Sequence, residues 1–117
     1  MKLIAAFVFL FGLSSVNVYA GAWSQSAVPS RIDIERAGGV MVYGEFGNAG
    51  NCSVSNRFYL KTDHPQYAQA YSAILAAFSS GKKVQVYVNT CEALTWYAST
   101  STTFNIVTAA GVVHVMN

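Results

Sequence analysis

The chain has 117 residues, 53% hydrophobic and 10% charged, and its 7 basic and 5 acidic residues give a formal charge of +2. That length suits one domain rather than two. Soluble domains are about a quarter charged, so this surface is unusually neutral. Its few cations are too sparse to displace counterions from a nucleic acid, and nucleic-acid binding is not expected.

Much of the hydrophobicity lies at the N-terminus. Met1-Lys2 supplies a positive start, Leu3 to Leu13 is an unbroken apolar or glycine run, and Val18-Tyr19-Ala20 fits a signal-peptidase site. A run of roughly 11 residues falls short of the ~20 that span a bilayer. Residues 1–20 are therefore expected to be a signal peptide, cleaved after Ala20 or, by the same small-residue pattern, after Ala22. The alternative is an uncleaved anchor or a buried helix. Residues 21–117 then form one exported domain, secreted or periplasmic, with no membrane span after cleavage. Cys52 and Cys91 both remain, and an even count in an oxidising compartment points to a disulfide. Closing a loop of about 40 residues stabilises by ~4 kcal/mol in the chain-entropy model. Two distant cysteines lack metal-ligand spacing, so neither a metal nor a cofactor is expected.

The predicted elements follow in order. Gly21 to Pro29 is a Ser/Ala-rich lead-in. Arg31 to Glu35 alternates polar and apolar residues, as a half-buried strand does. Gly38-Gly39 marks a hairpin, and Val40 to Phe46 is its return strand, with Gly44 a candidate bulge. After the Gly47–Asn51 loop, a third strand is expected from Cys52 to Leu60. Asp63, Pro65 and Gln66 read as cap, first turn and capping box of a helix. Its core stripe is read as Tyr67, Tyr71, Ile74, Leu75 and Phe78, and Gly81 ends it. Strand four is Lys82 to Asn89. Glu92 to Thr103 reads as loop, and Phe104–Val107 and Val112–Val115 as a final strand broken at Ala109–Gly111.

Three strands, a helix, then two strands is the element order of the oligonucleotide/oligosaccharide-binding (OB) barrel. The fold class expected is mainly β with one helix: an OB-fold-like five-stranded Greek-key barrel, the helix lying between strands three and four. A two-layer α+β sheet with the helix on one face is the alternative. Between the cysteines the sequence also carries a more particular pattern. A Cys52-opened strand ends in Tyr59-Leu60, followed by Pro65-Gln66-Tyr67, Tyr71 to Ala77, Gly81 to Val88, and Cys91. This segment resembles exported bacterial proteins related to the subtilase cytotoxin B subunit, the receptor-binding part of an AB5 toxin. The resemblance implies an OB fold, a homopentameric ring, a glycan or glycoprotein receptor of sialylated type, and an enzymatic A subunit as partner.

Catalytic signals are weak. Asp63 and His64 are adjacent and would point apart, and His114 sits on the polar face of a strand. Asp33 and Glu35, about 7 Å apart on one strand face, could serve glycoside chemistry. Arg31 and Arg36 flank them, however, and a solvated face is the simpler reading. No enzyme activity is expected. Aromatic residues are the better lead, since Tyr and Trp pair a flat apolar face with a polar edge, as sugar recognition requires. Trp96 and Tyr97, followed by Ser99 and Thr100, form one candidate glycan site, and Arg57 and Tyr59 form a second strip. Arg57 or Arg36 could pair with a sugar carboxylate. The alternative role for Trp96 and Tyr97 is to close the barrel end.

The helix from Pro65 to Ser80 has no charged residue. Gln69, Ala73, Ala76 and Ala77 make a small, neutral face suited to self-association. The leading expectation is a non-catalytic exported glycan-binding module. The alternative is a periplasmic or secreted structural or inhibitor-like protein that binds a protein partner.

Overall fold

Segments of period two form eight strands, and one segment of helical period forms a single helix, among residues 21–117, which the computed structural model describes. The expected signal peptide and its cleavage after Ala20 lie outside these residues. In chain order the elements are β1 (Ala22–Trp23), β2 (Arg31–Ile34), β3 (Val40–Tyr43), β4 (Arg57–Leu60), α1 (Tyr67–Ser80), β5 (Lys83–Val88), β6 (Thr90–Ala93), β7 (Thr103–Val107) and β8 (Val112–Met116). The protein is mainly β with one helix. No described helix is long and apolar enough to cross a membrane.

The strands make two sheets, a five-stranded one in the order β2-β3-β4-β7-β6 and a three-stranded one in the order β1-β5-β8. Every pairing is antiparallel except β4 with β7. The closed five-stranded barrel expected from the element order is not formed. Its long strands are each divided between the sheets: Ser24–Ser30 separates β1 from β2, Asn89 separates β5 from β6, and Thr108–Gly111 separates β7 from β8. The expected third strand shrinks from Cys52–Leu60 to Arg57–Leu60, because Asn56, within that span, holds a left-handed φ of 61° that a regular strand does not include. Conversely, Thr90–Ala93, read partly as loop, pairs with β7 as a strand.

The β2–β3 hairpin turns at Gly38-Gly39, both at positive φ. Gly39 is required twice over, since its φ is 82° and a Cβ there would collide with the Tyr59 side chain and the Leu60 carbonyl oxygen.

Two hydrophobic clusters lie on opposite faces of the five-stranded sheet. Val40, Val42, Phe58, Leu60 and Val107 meet Ile74 of the helix and Val84, Val86 and Val88 of the smaller sheet. On the other face, Met41, Tyr59, Phe104 and Ile106 pack with Leu94, Trp96 and Tyr97 from the chain after β6. Both faces of this sheet are therefore covered.

The helix is rotated from the expected orientation. Of the expected stripe, Ile74 is buried and Tyr67 and Tyr71 pack against the core, but Ala70 and Ala77 are buried beside them while Leu75 and Phe78 are 38% and 43% exposed. Small residues at the contact bring the helix axis close to the core, and the large side chains fall to the rim. Ala77, expected on an oligomer face, is 0% exposed and belongs to the core. The expected Asp63 cap and capping box are also absent. Gln66 occupies the N-cap position with no side-chain cap. Instead, the Gln66 N–H donates to His64 Nδ1 at 3.0 Å, and His64 Nε2 lies 2.9 Å from the Gly111 carbonyl oxygen. A neutral His64 with its proton on Nε2 satisfies both contacts and ties the helix start to the loop before β8. Gly81 ends the helix at φ 74°, as expected.

Cys52 and Cys91 form the expected disulfide, with a Cα–Cα distance of 5.6 Å and a sequence separation of 39. Buried Asn105 reinforces it. Its Oδ1 accepts from the Gly50 N–H at 2.7 Å, and its Nδ2 donates to Asn48 Oδ1 at 3.0 Å. A strandless loop is thus fixed to the middle of the sheet. Replacing both cysteines with serine should lower unfolding stability by about 2–4 kcal/mol, from the closed-loop entropy. Chemical denaturation checks this, and a loss below about 1 kcal/mol would contradict it.

Candidate functional site

Strand register determines which side chains meet on the outer face of the five-stranded sheet. Arg31, Tyr43 and Arg57 lie side by side on β2, β3 and β4, and Asp33, Met41 and Tyr59 form the next row. Because side chains alternate with period two, both rows point away from the helix.

The arginines in the first row come from strands on either side of Tyr43. The Arg31 and Arg57 guanidinium carbons lie 4.5 and 4.6 Å from the centroid of its ring, within the range of cation–π attraction. Arg31 also donates from Nε and Nη2 to the two carboxylate oxygens of Asp33, each at 2.9 Å. This hydrogen-bonded cation holds the Asp33 carboxyl below its ordinary pKa, and the same carboxylate raises that of Arg31. Burial pushes the Tyr43 and Tyr59 hydroxyls up, so both remain neutral donors. The Arg57 Nε is buried and has no hydrogen-bond partner among the described residues.

A roof over this face comes from the chain after β6. Trp96 leans on Tyr59 with ring centroids 5.8 Å apart, and Tyr97 stands edge-on to Phe104 at 5.0 Å. The Arg36 guanidinium lies 5.2 Å from the Trp96 ring centroid and donates from Nη1 to the Trp96 carbonyl oxygen at 3.2 Å. The Tyr59 hydroxyl donates to the Gly38 carbonyl oxygen, which fixes the hairpin turn beneath. Two grooves flank Trp96. One, of about 560 Å³, runs along β2 and includes Arg31, Asp33, Tyr43 and Tyr97. The other, of about 240 Å³, includes Tyr59, Thr62, Thr95 and the Lys61–Glu92 ion pair, whose charged atoms are 3.3 Å apart.

No protein-family model, curated protein or solved structure matches the chain.

The structure brings Trp96, Tyr97, Arg57 and Tyr59 to one face, as two adjoining parts rather than two separate sites. Trp96 and Tyr97 cover the sheet rather than close a barrel end. Arg57, Ser99 and Thr100 line neither groove, and the Ser99 hydroxyl is within 3.1 Å of the Ser101 hydroxyl. On the helix, Gln69 and Ala73 line a groove of about 380 Å³ against β8, while Ala76 is exposed. Sequence reasoning missed Tyr43 and assigned Arg31 only a flanking role. The signal was present: once Gly38-Gly39 sets the hairpin, register places Tyr43 opposite Arg31. Among the described residues, no group of three or more His, Cys, Asp and Glu side chains comes together as a metal site would require.

Chemically, the face offers aromatic surfaces, neutral hydroxyls and guanidinium donors. Asp33 is committed to Arg31 and held ionised, which suits an acceptor and not a proton donor. Because its pKa is lowered, the contribution of the ion pair is present above the ordinary carboxylate range and is lost as pH falls through the depressed value. Arg31→Ala should move the Asp33 titration midpoint upward toward that of a free carboxylate. Carbon-detected NMR of the side-chain carboxyl reads this directly, and an unmoved midpoint would refute the role given to Arg31.

Proposed function

We propose that the protein is an exported, non-catalytic glycan-binding module that recognises an acidic sugar on the outer face of its five-stranded sheet. One observation carries the reading. The chain's three arginines, Arg31, Arg36 and Arg57, all lie over aromatic rings of this single face. The Arg31 fork is taken by Asp33, so Arg36, which lines the groove along β2, is the guanidinium placed to meet a sugar carboxylate, and Tyr and Trp supply surfaces for the C–H face of a sugar ring. The Cys52–Cys91 bridge suits the oxidising compartment that the N-terminal segment predicts for a secreted or periplasmic protein.

The wider toxin-like reading rests on the sequence resemblance. The parallel β4–β7 ladder, flanked by antiparallel neighbours, supports an opened relative of the OB barrel. A homopentamer and an enzymatic A subunit complete that proposal. The uncharged residues Gln69, Ala73 and Ala76 are its self-association surface, without Ala77.

A glycan array containing sialylated and neutral members tests the site. Binding should be confined to carboxylated glycans and fall at least about tenfold in Arg36→Met and in Trp96→Ala, about 1.4 kcal/mol each. Trp96→Ala also removes packing against Tyr59, so Arg36→Met, with thermal unfolding as a control, separates binding from folding. Absence of any glycan signal from the folded protein, or a stable complex with a protein instead, would overturn the proposal.

A further inference from the structure

We infer that the groove between α1 and β8 binds an extended, uncharged segment of another polypeptide, which joins the smaller sheet as an added strand beside β8. The groove lies on the helix side of the molecule, so the inference does not depend on the glycan reading of the outer face. Among the described residues, β8 pairs only with β5, and its other edge has no backbone partner. Proteins normally protect such an edge with charge, proline or brevity. The other edges of the two sheets are protected. β1 is two residues long, β2 carries Arg31 and Asp33, and β6 carries Glu92 and the disulfide-bonded Cys91. The β8 sequence, Val112-Val113-His114-Val115-Met116, has none of these devices, and Val112 and Val115 are 41% and 42% exposed.

The chemistry of the edge specifies the occupant. A row of N–H and C=O groups at strand spacing is matched by another extended backbone. Every second side chain of that backbone points to the helix side. There Gln69, Ala70 and Ala73 of the helix and Val112 and Val113 of β8 line a groove of about 380 Å³. No Asp, Glu, Lys or Arg lines it, so a charged side chain entering it would lose water and find no partner. Small alkyl groups fit, which selects valine or alanine at alternate positions. The remaining side chains fall on the face of exposed His114, where hydroxyls are at home. His64 and Gly111, held 2.9 Å apart, bound the groove where β8 begins. Gln69 and Ala73 also belong to the proposed self-association surface. A second copy offering its own β8 arrives with its own α1 beside that strand, in space the first helix already borders. A free segment brings no second layer.

NMR titration of the labelled protein tests this with an acetylated, amidated heptapeptide that alternates threonine and valine. Amide shifts should fall on Val112–Met116 and on Gln66–Ala73. The two edges of the peptide are then blocked in turn, by N-methylation of its valines or of its threonines. One methylated peptide should bind at least about tenfold more weakly and the other should bind as the parent does, because only one edge of an added strand meets β8. Ala73→Trp, which fills the groove from the helix, should weaken the parent peptide at least about tenfold. Ala76→Trp, on the same helix but outside the groove, should not, and thermal unfolding checks that both variants fold. No binding of the parent peptide, or binding unaffected by either methylation, would overturn the inference. A dimer seen by light scattering that Ala73→Trp dissociates would also overturn it, since a second copy then holds the edge. None of these outcomes bears on the glycan site.

Discussion

The alternation along β3 and β4 is the constraint on which the molecule depends. Val40, Val42, Phe58 and Leu60 face the helix and the smaller sheet, which obliges Met41, Tyr43, Arg57 and Tyr59 to face the other way. Fully burying each inward aliphatic or aromatic side chain is worth about 1.5–3 kcal/mol, so a slip of one residue along either strand is prohibited many times over. Stability of the inner core and chemistry of the outer face are thus set by the same register.

That outer face is apolar where Met41, Tyr59, Phe104 and Ile106 meet, and the chain from Leu94 to Tyr97 covers it. The cover is incomplete, and the arginines occupy its margins. In a chain so poor in charge, gathering every guanidinium beside aromatic rings concentrates most of the cationic hydrogen-bonding capacity on one surface. The arrangement is held from below by the Tyr59–Gly38 hydrogen bond and the hairpin turn. On the opposite face, the disulfide and Asn105 fasten the Asn48–Cys52 loop. Aromatic platforms kept in place by packing offer a ligand contact area at little conformational cost.

Much of this was legible in the sequence, for physical reasons that differ by element. The Arg31–Ile34 and Val40–Tyr43 strands were readable because a Gly-Gly turn joins two period-two segments. The disulfide followed from compartment and count. The helix was readable in extent and only partly in rotation: Tyr67, Tyr71 and Ile74 pack on the core as their size suggests, whereas close approach to the smaller sheet selects Ala70 and Ala77 in place of Leu75 and Phe78. The closed barrel failed because element order says nothing about where a strand bends from one sheet to another. At the site, Trp96, Tyr97, Arg57 and Tyr59 stood out by residue type. Tyr43 did not, because its importance comes from Arg31 and Arg57 on neighbouring strands, a pairing visible only once register is known.

The most direct test of the account is an NMR titration of the labelled protein with sialyl-lactose. The account predicts that the largest shifts fall on the Arg36 side-chain N–H groups, the Trp96 indole N–H and the backbone of β2 and β3. Shifts confined to the groove between α1 and β8, or none at saturating sugar, would contradict it.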